Sequence, residues 1–273
     1  MHRAARLLVA CACLGLASCA SVLQSYAERA DSMARGAGMA PQPAGRFVRA
    51  YLKAPARGAE DLTIYIEGDG ARWRAADLPP ADPTPENPLA LRLAIADPAP
   101  AVAYIGRPCQ YVDDDALNEC DPALWTRGRF SEPAVAMVSQ AVDAVVKQAG
   151  ARRITLIGHS GGGAMAALIA ARRSDVVCLS SVAAPLDTAA WTSAIGVSPL
   201  RTSLNPADQT ARLRGIRQVH FTGGRDEVVP PASIARYMGA LPAALVREER
   251  IEKFGHDCCW VDEWVQLRPR ACR

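Results

Sequence analysis

The sequence has 273 residues, of which 50% are hydrophobic and 22% are charged, and its 31 basic residues nearly balance its 28 acidic ones. This balance argues against a nucleic-acid-binding protein, which carries a basic surface. The length is sufficient for one large α/β domain, and we find no internal repeat or sign of a second domain.

Residues 1–18 are predicted to be a secretory signal peptide. Two arginines precede the apolar stretch from Leu7 to Ala17, which is too short to span a bilayer. The end of this stretch and the two residues after it, Leu16-Ala17-Ser18-Cys19, resemble the bacterial lipobox, which implies that Cys19 becomes a lipidated first residue. An ordinary signal peptide with a chance cysteine is the alternative. Since Ala20 follows, the resemblance implies a protein anchored in the outer membrane and facing the periplasm.

Cleavage before Cys19 leaves 29 basic and 28 acidic residues, so the mature chain carries a charge of only +1. Residues 19–45 mix alanine, glycine, proline and scattered charges without an apolar period, and are predicted to be a flexible tether. The folded domain is predicted to cover residues 46–273.

Short apolar or β-branched runs, typical of strands, alternate with helical patterns over the rest of the chain. The predicted strands are Phe47–Leu52, Leu62–Ile66, Ala101–Ile105, Ile154–Ile157, Val176–Val182, Gln218–Thr222 and Leu245–Ile251. The predicted helices are Glu132–Ala149, Gly162–Arg173 and Ser233–Ala240. This alternation predicts a mostly parallel sheet with helices on both faces.

Three irregular segments are candidates for the walls of a substrate pocket, because long loops in a compact domain are often functional. They are residues 71–88, 106–131 and 185–211. The second contains Asp113-Asp114-Asp115, which lacks the ligand spacing of a calcium loop and is better explained as a solvated acidic run.

Six cysteines follow Cys19, and in an oxidising compartment we expect them to form disulfides. They are Cys109, Cys120, Cys178, Cys258, Cys259 and Cys272. The favoured pairs are Cys109 with Cys120, and one of the adjacent cysteines 258 and 259 with Cys272. The rival, a zinc site, lacks the paired C-x-x-C spacing of structural zinc, so no metal is predicted.

Gly158-His159-Ser160-Gly161-Gly162 is a G-x-S-x-G pattern between a predicted strand and a predicted helix. A serine on such a turn is pushed clear of the sheet and becomes a candidate nucleophile. The structural alternative is a glycine-rich turn without chemistry.

A serine hydroxyl needs a general base and a group that orients the base. His256 follows the last predicted strand in a loop and is the candidate base. His159 is expected to point away from the nucleophile, and His220 is expected to be packed within a strand. Asp226 follows the preceding strand and is the candidate acid, with Glu227 as its alternative.

Together GHSGG, GGRDEVVP and FGHD, each after an apolar strand, resemble the α/β-hydrolase superfamily from about residue 47 to the end of the chain. The sequence is further similar to a poorly characterised bacterial branch of it. The resemblance implies the α/β-hydrolase fold, a Ser160–Asp226–His256 triad and no cofactor. It also implies an oxyanion hole formed by the backbone N–H of Gly161 and that of Asp69 or Gly70.

Where many relatives have His-Gly, this chain has Glu67-Gly68. Glu67 and Asp69 place two carboxylates near the nucleophile, and these disfavour an anionic substrate unless Arg72 or Arg107 pairs with them. Alternatively, the two carboxylates bind a cationic group of the substrate. Both could equally be turned outward or paired in salt bridges.

The expected activity is that of a serine hydrolase, a carboxylesterase acting on a small-molecule ester, or less strongly an amide, in the cell envelope. A peptidase, or a lipid-anchored binding protein that keeps the fold without turnover, are the alternatives.

Overall fold

The structure is a computed structural model and describes residues 25–56, 58–71 and 78–272. The predicted signal peptide, Cys19 and Arg72 lie outside the described residues.

Eight strands form one sheet in the order β1-β2-β4-β3-β5-β6-β7-β8. Strands β1 and β2 run antiparallel to their neighbours, and all the other pairs are parallel. The strands are β1 Ala40–Gln42, β2 Ala50–Lys53, β3 Asp61–Ile66, β4 Val102–Ile105, β5 Arg153–His159, β6 Val176–Val182, β7 Arg217–Gly223 and β8 Val246–Ile251. The seven predicted strands are therefore all present, and β1 is an addition.

Helices cover both faces of this sheet, as the alternating pattern predicted. They are α1 Tyr26–Gly36, α2 Leu89–Ala96, α3 Asp114–Asn118, α4 Glu132–Ala149, α5 Gly161–Ala170, α6 Thr188–Ala194, α7 Thr210–Leu213, α8 Ala235–Gly239 and α9 Trp260–Leu267. Short 3-10 helices cover Pro122–Trp125, Pro206–Asp208, Pro231–Ile234 and Arg268–Arg270. Among the described residues, none of these helices combines the length and hydropathy needed to cross a lipid bilayer.

Each face of the sheet has its own hydrophobic core. On one face the valines of α4, spaced for one side of a helix, pack with the almost wholly buried α5. Helix α4 matches its predicted bounds because Ser131 caps its start and Gly150 takes the left-handed conformation (φ 68°) after its end. The other face holds large aromatic side chains, including Tyr65, Trp260 and Trp264.

The parallel strands fix where a site can form. Strands β3, β5, β6, β7 and β8 all point the same way, so the loops after them gather at one edge of the sheet. In sheets of this kind, ligands bind outside the carboxyl ends of the strands. The segments after β3, β5, β7 and β8 contain the predicted oxyanion loop, nucleophile, acid and base.

The segment predicted to be a tether is folded over much of its length. Residues 26–36 form α1, whose buried Ala30 and Ala34 pack on the aromatic core, and residues 40–42 form the edge strand β1. Ser25 and Glu28 form a capping box at the start of α1. The prediction of a flexible tether is therefore wrong for these residues, and the ordered domain begins well before residue 46.

The disulfides agree with the prediction in part. Cys109 is bonded to Cys120 as expected, but Cys272 is bonded to Cys178, and Cys258 is bonded to its neighbour Cys259. The chain after α9 returns to strand β6, where the Ala271 carbonyl lies 3.4 Å from Cys178 Sγ. Cys272 therefore reaches β6 and not the loop that contains His256.

Candidate active site

Ser160 occupies the turn between β5 and α5. Its backbone has φ 51° and ψ −129°, which is strained for a residue with a side chain. The glycines around it allow very close packing: a Cβ on Gly158 would lie 2.1 Å from the Gly162 carbonyl oxygen, and one on Gly162 would lie 2.2 Å from that of Ile66. The strand–turn–helix context predicted for the G-x-S-x-G pattern is therefore present.

The structure brings together the three side chains predicted as a triad. Ser160 Oγ lies 3.0 Å from His256 Nε2, and His256 Nδ1 lies 2.9 Å from Asp226 Oδ2. The other Asp226 oxygen, Oδ1, accepts the backbone N–H groups of Val228 and Val229 at 2.9 and 2.8 Å. Since the Asp226 side chain is fully buried, both of its oxygens are held in fixed directions. Glu227, the alternative acid, is exposed.

The other two histidines have different surroundings. His220 is buried in β7, where its Nε2 donates to Gln218 Oε1 and its Nδ1 accepts from Ser181 Oγ, so the prediction of a packed histidine is confirmed. The prediction that His159 points away is wrong. Its ring centroid is 5.2 Å from that of His256, and its Nε2 donates to the His256 carbonyl oxygen at 3.3 Å.

Burial, reinforced by the charge that His256 can carry, lowers the pKa of His159 to about 4. His159 is therefore neutral at neutral pH and holds the backbone of the His256 loop through a hydrogen bond. Its position at the variable residue of the pattern gave no indication of this contact, which depends on the fold of the loop after β8.

Glu67 is buried beneath the start of α2. Its oxygens accept the backbone N–H groups of Gly68, Ala90 and Leu91, and the hydroxyl of Tyr104, over 2.9 to 3.4 Å. Burial raises the pKa of Glu67, and these hydrogen bonds oppose that effect. The carboxylate thus caps the start of α2, which places negative charge where the helix dipole favours it.

Asp69 is held by two arginines. Its Oδ1 accepts from Arg107 at 2.9 Å and its Oδ2 accepts from Arg129 at 2.7 Å, while Arg107 also donates to the Arg129 carbonyl oxygen. Burial by itself would raise the pKa of Asp69, but the two guanidinium charges outweigh it and lower the pKa. The expected pairing with Arg107 is present, and Arg129 is a partner that the sequence did not indicate.

The predicted oxyanion donors lie next to the nucleophile. Gly161 is the first residue of α5, and a Cβ on it would lie 1.9 Å from Asp69 Oδ1, so the loop after β3 packs directly on the turn. Asp69 and Gly70 line the same cavity as Ser160. Within the described part of the chain, the backbone N–H groups of Gly161 and Asp69 have no hydrogen-bond acceptor.

A cavity of about 790 Å³ opens beside Ser160 and His256. The three irregular segments predicted as pocket walls all contribute to it: residues 71–88 through Pro80 to Asn87, residues 106–131 through Trp125 and Arg129, and residues 185–211 through Trp191. Tyr26 of α1 also lines it, which was not expected because that segment was predicted to be a tether. The capping-box pattern of Ser25 and Glu28 was the one local signal that could have revealed this helix.

One group of side chains in the described structure has the composition of a metal site: His159, His256 and Asp257 each place a ligand atom within 4.8 Å of the others. However, His256 uses both ring nitrogens for Asp226 and Ser160, and His159 uses Nε2 for the His256 carbonyl. Hydrogen bonds therefore already engage both ring nitrogens of His256 and Nε2 of His159.

The fold is similar to that of solved structures of hydrolases. The chain is similar to Est1E from Butyrivibrio proteoclasticus with a TM-score of 0.54 and 13% identity, over 85% of this chain and 98% of that one. The chain has the α/β-hydrolase fold.

Two further similar structures cover different activities. One is a membrane phospholipase A described as a bacterial virulence factor, with a TM-score of 0.53 and 16% identity over 97% of both chains. The other is a puromycin-hydrolyzing peptidase from Mycobacterium tuberculosis, with a TM-score of 0.57 and 15% identity over 84% of this chain but only 37% of that one. No protein-family model and no curated protein sequence matches the chain. At these identities the likeness establishes the fold alone.

Proposed function

We propose that this protein is a serine hydrolase, specifically a carboxylesterase that acts through an acyl-enzyme on Ser160. The observation that carries the proposal is the continuous hydrogen-bonded chain from Ser160 Oγ through His256 to the buried Asp226 carboxylate. The Ser160 end of this series of hydrogen bonds lies at the open cavity. That arrangement supports turnover over the alternative of a binding protein without catalysis.

In the proposed reaction His256 Nε2 takes the proton of Ser160 as Oγ attacks the ester carbonyl. Asp226 keeps the other proton on Nδ1 and stabilises the imidazolium that forms. The N–H groups of Gly161 and of Asp69 or Gly70 are the proposed donors to the oxyanion. His256 then protonates the leaving alcohol, and a water molecule activated by the same histidine releases the acid.

The location of the protein is proposed from its first residues. The lipobox-like segment supports a lipid anchor on Cys19 and a position in the outer membrane, facing the periplasm. Three disulfides among the described cysteines are consistent with an oxidising compartment.

Labelling by a fluorophosphonate probe tests the nucleophile. We expect the wild-type protein to be labelled and to hydrolyse p-nitrophenyl butyrate, and the Ser160→Ala variant to lose both. Ser181→Ala, which replaces a buried serine of β6, is the matched control and should still be labelled. Labelling of Ser160→Ala at the wild-type level would refute the assignment. A panel of p-nitrophenyl esters and aminoacyl p-nitroanilides then separates an esterase from a peptidase.

A further inference from the structure

One wall of the cavity beside Ser160 is close in sequence to the predicted lipid anchor. Tyr26, which lines the cavity, is the first residue of α1 and directly follows Ser25. Tyr26 is seven positions after Cys19, and a fully extended chain covers at most about 3.6 Å per residue, or about 25 Å in all. An acylated Cys19 would therefore hold this wall of the cavity within about 25 Å of the bilayer surface.

Half of the large exposed apolar side chains of the described residues lie at the cavity or within two residues of its lining. The large exposed hydrophobic residues of the described chain are Tyr26, Leu78, Val177, Val197, Val228 and Val265. Tyr26 and Val228 line the cavity, and Leu78, the second most exposed at 55%, is two residues before the lining residue Pro80. Exposed apolar side chains beside a polar reaction centre fit an amphiphilic partner.

Two tryptophans add to the apolar lining. The indole N–H of Trp125 donates to the Pro80 carbonyl, and that of Trp191 donates to the Val228 carbonyl. Since both polar atoms are already satisfied by the protein, the rings can contact an acyl chain without leaving an N–H unpaired.

The charges in the cavity indicate which lipid headgroup fits. Asp82 and Glu86 are exposed and line it, whereas the charge of Arg129 is bound to Asp69. An anionic headgroup would be repelled by these carboxylates, and a headgroup that carries an ammonium group would be attracted.

We propose that the substrate is the acyl ester of a zwitterionic lipid, taken directly from the bilayer in which Cys19 is anchored, with Tyr26, Leu78 and Val228 in contact with the membrane surface. This inference rests on the proposed function. Ser160 Oγ takes the acyl group as the ester C–O bond breaks, the lipid alcohol leaves with the proton from His256, and water then releases the fatty acid.

The test uses the full lipidated protein and two substrates, dioleoylphosphatidylcholine vesicles and soluble p-nitrophenyl butyrate. We expect fatty-acid release from the vesicles to exceed release from dioleoylphosphatidylglycerol vesicles at least fivefold. In the variant Tyr26→Ser/Leu78→Ser/Val228→Ser, the ratio of vesicle to soluble activity should fall at least tenfold. Cys19→Ser should lower the same ratio, because it removes the anchor.

The control variant Val177→Ser/Val265→Ser removes exposed apolar side chains from β6 and α9, outside the cavity, and should leave the ratio unchanged. An unchanged ratio in the triple variant, an equal fall in the control, or faster hydrolysis of phosphatidylglycerol would overturn the inference. If soluble esters are hydrolysed but no vesicle lipid is, the membrane substrate is refuted and the proposed function stands. If neither is hydrolysed and Ser160 is not labelled, the proposed function itself fails.

Discussion

Replacement of Asp226 by asparagine tests the role of Asp226 in orienting His256 separately from its role in stabilising the fold. In the native protein Oδ1 accepts the N–H groups of Val228 and Val229, while Oδ2 accepts the proton on His256 Nδ1. An asparagine that keeps its oxygen on the two backbone N–H groups must turn its NH₂ group towards Nδ1. Since the amide donates, Nδ1 must give up its proton, and the proton moves to Nε2.

This change of tautomer removes the base from the serine. With the proton on Nε2, the ring donates to Ser160 Oγ and cannot accept the serine proton as the attack begins. The same replacement in a well-studied protease triad lowers kcat about 10⁴-fold. We expect a loss of about 10³ to 10⁴-fold here, which corresponds to about 4 to 5 kcal/mol in the activation free energy.

The assay is kcat for p-nitrophenyl butyrate at pH 7.5, with thermal unfolding measured on the same samples. Because both backbone hydrogen bonds to Oδ1 persist, Asp226→Asn should unfold within a few degrees of the wild type. Glu227→Gln, a neighbouring exposed acid, is the matched control and should change kcat less than twofold. A folded Asp226→Asn enzyme within tenfold of the wild-type kcat, or an equal loss in Glu227→Gln, would refute the reasoning.

Two further predictions concern buried polar groups. Glu67→Gln leaves at least one donor at the start of α2 without its acceptor and should lower the free energy of unfolding by about 1 to 3 kcal/mol. Urea denaturation at pH 7 measures this change, with replacement of the exposed Glu86 by glutamine as the control. Equal free energies of unfolding in the two variants would contradict the prediction. Burial lowers the pKa of His220 to about 3, against about 6.5 in the unfolded chain, so the unfolded state binds the proton more readily and stability is lost as the pH falls below 6.5. Between pH 8 and pH 5 this lowers the free energy of unfolding by about 2 kcal/mol. Urea denaturation of wild type and His220→Gln at the two pH values should show that the free energy of unfolding falls by about 2 kcal/mol less in the variant. An equal fall in the two proteins would contradict the assignment.

Most of the sheet could be predicted because its strands are short, β-branched runs whose burial on both faces leaves a direct pattern in the sequence. The bounds of α4 were predicted for a similar reason, since its valine spacing and its terminal Ser131 and Gly150 are local signals. Helix α1 was missed because its fully buried side chains are the small Ala30 and Ala34, and alanines give a weak apolar period.

The disulfides show the limit of reasoning from order along the chain. Cys109 and Cys120 are close in sequence, so their pairing was the simplest choice. The pairing of Cys178 with Cys272 joins residues 94 positions apart, and it depends on the chain after α9 passing β6. No local sequence pattern indicates that the chain after α9 passes β6.

The sequence by itself predicted the succession of strands along the chain, the turn that carries Ser160, and Asp226 and His256 as candidate partners of the serine, because each of these is inferred from a strand and the residues that follow it. Tertiary structure alone decided the surroundings of those residues: His159 against the His256 loop, Glu67 under α2, Asp69 between Arg107 and Arg129, and Tyr26 at the cavity. The physical reason is that burial and charge pairing join segments that are distant in the chain, so the partner of a buried polar group is set by packing and not by spacing.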